Sequence, residues 1–175
     1  MVKGGSGNDL IYGGNDKTFD GGADGASVYL YGNEGHDTIF GKGMNGQDDE
    51  YIWGGSGDDK IYGAPGLDGV VKINGNEGDD LVYAGDDVEG TITVNLGKGN
   101  DQFNTIQSGA DAMYTTYAEL PDANMSLVKV FGGEGDDVIN AMNAGVSSAG
   151  LYYGGQGNDI IRGPVENDGQ MIFAG

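Results

Sequence analysis

The sequence predicts an all-β solenoid of about seven two-stranded coils. Three observations carry that expectation: a glycine-rich nonapeptide that recurs seven times, a β-branched and aromatic run between successive copies, and an alternation that gives each run one inward apolar position. The nonapeptides are Gly4 to Tyr12 (GGSGNDLIY), Gly32 to Phe40 (GNEGHDTIF), Gly54 to Tyr62 (GGSGDDKIY), Gly75 to Tyr83 (GNEGDDLVY), Leu96 to Asn104 (LGKGNDQFN), Gly132 to Asn140 (GGEGDDVIN) and Gly154 to Arg162 (GGQGNDIIR). Each has aspartate at its sixth place and an apolar residue at its eighth.

The first strand of each coil follows the aspartate. Its eighth-place residues, Ile11, Ile39, Ile61, Val82, Phe103, Ile139 and Ile161, form an inward column, with their neighbours pointing out. The second strand lies just before the next nonapeptide: Ser27 to Tyr31, Glu50 to Trp53, Val70 to Asn74, Thr91 to Asn95, Leu127 to Phe131, Gly150 to Tyr153 and Gln170 to Phe173. Its inward column reads Leu30, Ile52, Ile73, Val94, Val130, Tyr152 and Ile172. The stretches joining the two strands (NDKTFDGGADG, KGMNGQDD, APGLDG, GDDVEG, QSGAD, NAGVSS, PVENDG) vary in length and keep only scattered aspartates, so one edge is regular and the other degenerate. Nonapeptide starts are 28, 22, 21, 21, 36 and 22 residues apart, and the longest excursion is Thr105 to Ser126.

The nonapeptide also has a chemistry. Glycines at its first, second and fourth places permit positive φ and close backbone approach, so a tight turn can aim several carbonyl oxygens at one point. Asn33 and Asn76 replace the second glycine, and asparagine is the non-glycine residue best suited to a left-handed conformation. The aspartate adds a hard anionic oxygen. With no cysteine and one histidine in the chain, a site of carbonyls and carboxylates favours calcium over zinc or copper.

Composition points the same way. The chain has 37 glycines, and 28 acidic residues against 8 basic ones, for a net charge of −20. Nucleic acid and an anionic membrane are excluded as natural partners, because phosphate contacts need lysine and arginine. No stretch approaches the ~20 apolar residues of a membrane span, and the start MVKGGSGND holds no signal peptide. High charge and abundant glycine predict disorder unless the acid groups are neutralised. One divalent ion in each of the six intervals between seven turns would add +12 and bring the charge to −8. Two facing apolar columns make a thin core, so burial alone would struggle against the chain entropy.

The repeat of glycine, glycine, x, glycine, x, aspartate, x, apolar, x resembles the RTX (repeats-in-toxin, hemolysin-type) family of calcium-binding parallel β-rolls. The resemblance covers nearly the whole chain and implies a parallel β-roll with calcium along one edge. In the family each ion lies between successive loops, held by carbonyls of the glycine turn and by sixth-place aspartates. Carried over, this makes Asp9, Asp37, Asp59, Asp80, Asp101, Asp137 and Asp159 the side-chain ligands. Residues at Gly4, Gly7, Gly35, Gly54, Gly57, Gly78, Gly99, Gly132, Gly135, Gly154 and Gly157 become the carbonyl donors, for about six calcium ions. The chain departs from the regular family roll in having one intact nonapeptide per coil instead of two. The resemblance further implies a secreted or cell-surface, non-catalytic module that folds on meeting calcium. RTX proteins typically carry an uncleaved C-terminal export signal, and this chain shows no such tail.

Outward aromatics recur in columns: Tyr12, Phe40, Tyr62 and Tyr83 on the first strand, and Tyr31, Trp53, Phe131, Tyr153 and Phe173 on the second. They read as cross-coil stacking. The alternative is a face that binds glycan or protein, for which Tyr31, Trp53, Phe131 and Tyr153 are the candidates. His36 reads as a solvated substitution at a fifth place. Met1 to Lys3 resemble the close of a preceding strand, and Ala174 and Gly175 fall where another nonapeptide would begin, as in a single unit over 1–175 cut from a longer array or one that stacks on itself.

Overall fold

The computed structural model describes residues 1–14, 27–41, 49–63, 69–84, 90–105, 127–141, 149–163 and 171–174. Within them the chain is all-β and winds as a parallel two-sheet roll. One sheet holds eight strands: β1 (Val2–Ser6), β3 (Val28–Glu34), β5 (Glu50–Ser56), β7 (Val70–Glu77), β9 (Thr91–Lys98), β11 (Leu127–Glu134), β13 (Ala149–Gln156) and β15 (Met171–Ala174). The other holds seven: β2 (Leu10–Tyr12), β4 (Thr38–Phe40), β6 (Lys60–Tyr62), β8 (Leu81–Ala84), β10 (Gln102–Thr105), β12 (Val138–Asn140) and β14 (Ile160–Arg162). Each strand pairs in parallel with its equivalent one coil away. The joining segments, 15–26, 42–48, 64–68, 85–89, 106–126, 142–148 and 164–170, hold most of the expected degenerate edge and lie outside the described residues.

Alternation places the core where expected. Ile11, Ile39, Ile61, Val82, Phe103 and Ile139 stack in register and are buried, with Ile161 packed partly against them. Leu30, Ile52, Ile73, Val94, Val130 and Tyr152 form the facing column, also buried. One member is corrected: Tyr152 is paired with Phe173, and Ile172 pairs with Leu151. The place level with Tyr152 therefore falls one residue later than counting back from Ala174 suggested, because Ala174 continues the strand opposite Tyr153.

The structure adds a third inward column two residues upstream, where Glu50, Val71, Ile92 and Val128 are buried in register. Gly150 continues it: a Cβ there would lie 2.7 Å from the Tyr152 Cζ and Oη, so the tyrosine ring folds over its own strand and fills two positions. Opposite, small residues close the layer, with Gly41, Gly63, Ala84 and Ala141 buried. The core is thus a narrow stack in which each coil contributes three or so apolar side chains.

Candidate metal centre

The eight-stranded sheet does not stop at the nonapeptides. Its strands run into their third place, and the glycine places pair across coils, Gly5 with Asn33, Asn33 with Gly55, and Gly55 with Asn76. Positive φ occurs at the second and fourth places of all seven copies, including Asn33 and Asn76, both at 84°. The first place keeps negative φ. Its glycine answers a different demand. A Cβ on Gly4 would meet Asp9 Oδ2 and the Gly32 carbonyl, and one on Gly54 would meet Asp59 Oδ2 and the Gly75 carbonyl. The two expected uses of glycine are thus divided: the second and fourth places take the positive φ and the first needs room, because a carboxylate and the next coil's carbonyl converge on it.

The sixth-place aspartates stand in one column, and each spans an interval. Oδ1 accepts the backbone N–H of the preceding coil's aspartate: Asp37 from Asp9 at 2.7 Å, Asp59 from Asp37 at 2.8 Å, Asp80 from Asp59 at 2.9 Å and Asp101 from Asp80 at 2.8 Å. Asp137 accepts from Asp101 at 2.9 Å and Asp159 from Asp137 at 3.0 Å. The last two bonds span 36 and 22 residues, so the long excursion leaves the column intact. The other oxygen is left over. Oδ2 of Asp9, Asp37, Asp59, Asp80, Asp101 and Asp137 is buried with no hydrogen-bond partner. Buried polar oxygens are rarely abandoned, and six in line amount to a shared unmet demand for a cation or a proton.

Electrostatics state that demand again. Burial, reinforced by neighbouring carboxylates and only partly opposed by the backbone N–H each accepts, pushes Asp59 up to about 6, Asp80 up to about 8 and Asp101 up to about 6. Asp137 is raised for the same reasons. Successive coils lie about 4.8 Å apart, where two carboxylates repel by roughly 3 kcal/mol at an effective dielectric of about 20.

Main-chain oxygens also line up from coil to coil. Fourth-place carbonyls face the same place of the next coil, Gly35 O toward Gly57, Gly57 O toward Gly78, and Gly78 O toward Gly99. Among the described residues no three acidic or histidine side chains converge on one point. A cation held here would need backbone oxygens beside the carboxylates, which suits calcium's preference for several hard oxygens. These are the residues of a calcium-binding repeat. The chain belongs to the family of RTX calcium-binding nonapeptide repeats. That family matches residues 1–17, 23–43, 44–71, 66–88, 129–143 and 151–168, well over half of the chain. Neither a curated protein nor a solved structure matches it.

The RTX match passes over the fifth nonapeptide, Leu96 to Asn104, yet Gly97 and Gly99 have the same positive φ and Asp101 the same hydrogen bonds as their equivalents. The structure brings the seven aspartates together in the column, with Gly4, Gly54, Gly132 and Gly154 at its first-place wall, against their own carboxylates; the fourth-place glycines Gly35, Gly57, Gly78, Gly99, Gly135 and Gly157 lie instead against the preceding coil's fourth-place carbonyl, and a Cβ on Gly7, in the first coil, would meet nothing. Sequence reasoning omitted Gly32 and Gly75 from the first-place wall, though their surroundings match: a Cβ on either would meet its own aspartate's Oδ2 and the next first-place carbonyl. It also omitted the second-place carbonyls, Asn33 O toward Gly55, Asn76 O toward Gly97 and Gly97 O toward Gly133. Place in the nonapeptide was the signal available for both.

A second polar column was missed. At the fifth place each side chain accepts the next coil's N–H: Asn8 from His36, Asp58 from Asp79, Asp79 from Asn100, Asn100 from Asp136 and Asp136 from Asn158, at 2.8–3.0 Å. His36 is exposed as expected, but its Nδ1 accepts the Asp58 N–H at 2.8 Å and so replaces an aspartate or asparagine oxygen. The aromatic columns stack on themselves. Tyr31 and Trp53 lie 4.6 Å apart at 3°, Phe131 and Tyr153 5.2 Å apart at 6°. Asn74 and Asn95 separate the two pairs and are joined by their own hydrogen bond of 2.9 Å. On the other sheet Tyr12, Phe40, Tyr62 and Tyr83 form one continuous stack.

Proposed function

We propose that this chain is a calcium-dependent folding module of a larger exported or cell-surface protein, with no catalytic role of its own. The six buried, partnerless Oδ2 atoms carry the reading. In it, Asp9, Asp37, Asp59, Asp80, Asp101, Asp137 and Asp159 are the side-chain ligands, and carbonyls of the first, second and fourth nonapeptide places complete the shell. Calcium supplies the positive charge between coils that allows buried carboxylates to stay ionised. The residues themselves do the rest: positive-φ glycines and asparagines aim the carbonyls, first-place glycines keep the notch open, and Oδ1 pins each aspartate to the neighbouring coil. Because the ligands assemble only in the folded roll, binding energy becomes folding energy. Extracellular calcium modules bind at about 10⁻⁴–10⁻³ M, so such a chain stays unfolded in a cytosol and orders outside the cell. The face-to-face aromatic stacks support a structural role for the outer columns, since ring faces turned toward each other are not offered to a glycan.

Far-UV circular dichroism and hydrodynamic radius, followed from chelated buffer to several millimolar calcium with magnesium as control, test the proposal. A cooperative, calcium-specific gain of β signal with compaction is expected. A chain equally folded in chelator would refute the switch.

A further inference from the structure

Five notches of the aspartate column are built alike and one is not. In coils one to four and in coil six, the first-place glycine has no room for a Cβ, because its own aspartate's Oδ2 and the first-place carbonyl of the following coil lie where one would stand. Gly4 faces Asp9 Oδ2 and Gly32 O, Gly75 faces Asp80 Oδ2 and Leu96 O, and Gly132 faces Asp137 Oδ2 and Gly154 O. In the fifth coil this place is Leu96. Its neighbours pair in register with both adjacent coils, Asn95 with Asn74 and Phe131, Gly97 with Asn76 and Gly133, so Leu96 stands level with Gly75 and Gly132. The backbone tolerates the replacement, because the first place is not left-handed. The side chain has one place to go: Leu96 is fully buried and belongs to the hydrophobic core.

The consequence is one-sided. The carbonyl of Leu96 still lies against Gly75, so the interval before it keeps its oxygens. In the interval after it, bounded by Asp101 and by Gly132, a real Cβ stands at the place where the five equivalents have none because the aspartate's own Oδ2 and a carbonyl already lie there. The Asp101 carboxylate is thereby denied the position its equivalents take, and a hard cation needs oxygen at a fixed distance. What holds coils five and six together there is apolar contact and strand pairing, with β9 and β11 matched from Leu127 and Thr91 through Glu134 and Lys98.

We infer that Leu96 closes the interval between the fifth and sixth coils to calcium, dividing the ladder into a run of four intervals and a single one joined by an apolar seam. The inference rests on the calcium reading of the repeats given above. Native mass spectrometry of the full chain at saturating calcium tests it, with circular dichroism to verify the fold. Leu96→Gly is expected to bind one ion more than wild type, whereas Leu96→Ala, which keeps the Cβ, binds the same number as wild type. Because glycine at 96 also removes a core side chain, crystals of the wild-type chain grown with calcium provide a second readout: anomalous density in the neighbouring intervals and none between Leu96 and Gly132. Density in that interval, or an unchanged ion count in a folded Leu96→Gly, overturns the inference. A wild-type chain that binds calcium in no interval overturns the proposed function, and the inference with it.

Discussion

Replacing Asp80 with asparagine is expected to stabilise the calcium-free roll and weaken the calcium-loaded one. Asp80 is 1% exposed, its Oδ1 accepts the Asp59 N–H at 2.9 Å, and its Oδ2 has no partner. Burial pushes its carboxyl from 3.8 up to about 8. At pH 7 the metal-free folded chain must therefore retain a proton that the unfolded chain has released, a difference on the order of 4 kcal/mol. The sign follows from the direction of the shift. Stability linked to a raised carboxyl is complete below the unfolded value of 3.8 and is lost as pH rises toward about 8. Asparagine keeps the Oδ1 acceptor and removes the ionisation, but leaves a buried N–H group unpaired at about 1–3 kcal/mol. The net gain at pH 7 is roughly 1–3 kcal/mol, vanishing toward pH 4.5. The assay is conformational stability in EDTA, by urea if the chain folds there and by trimethylamine N-oxide-driven folding if it does not. With saturating calcium the variant should melt below wild type, having lost a charged ligand. An Asp80→Asn chain no more stable than wild type in EDTA at pH 7 would refute the claim that this carboxylate is strained without a cation.

Acidification offers a related check without mutation: with Asp59 and Asp101 also raised to about 6, lowering the pH from 7.5 to 4.5 in chelator should increase β signal, measured by far-UV circular dichroism. Asn76, at φ 84°, should tolerate glycine within about 0.5 kcal/mol but lose roughly 1–2 kcal/mol as valine, by chemical denaturation in calcium. Trp53→Ala should cost about 0.5–1.5 kcal/mol for the lost Tyr31 stack, beyond the area term, and remove much of the near-ultraviolet dichroism without changing calcium stoichiometry.

Much of the site was legible because the nonapeptide carries its chemistry locally. The aspartate column follows from place six, and the core columns follow from alternation about Ile39, Ile61, Leu30 and Ile52, each confirmed in register. What the sequence did not show lies one coil away. Glycine was read as allowing positive φ and close approach, but which place uses which is set by stacking, where the first-place glycine meets its own aspartate's Oδ2 and the next coil's carbonyl. His36 is solvated as read, yet nothing in its own segment shows that Nδ1 also meets Asp58 N–H. The end of the second-strand column slipped by one residue, since counting back from Ala174 could not reveal that Phe173 pairs with Tyr152.

The sequence by itself determined that the chain is an all-β repeat, which residues face inward and which oxygens are available to a cation, because those properties depend on residue type and a period of two or nine. Tertiary structure decided how the coils register across spacings of 21 to 36 residues, since strand pairing fixes partners that loop length does not. It also decided that each aspartate spends one oxygen on a neighbour's N–H and keeps the other buried and unmet, an outcome that exists only once two coils are stacked.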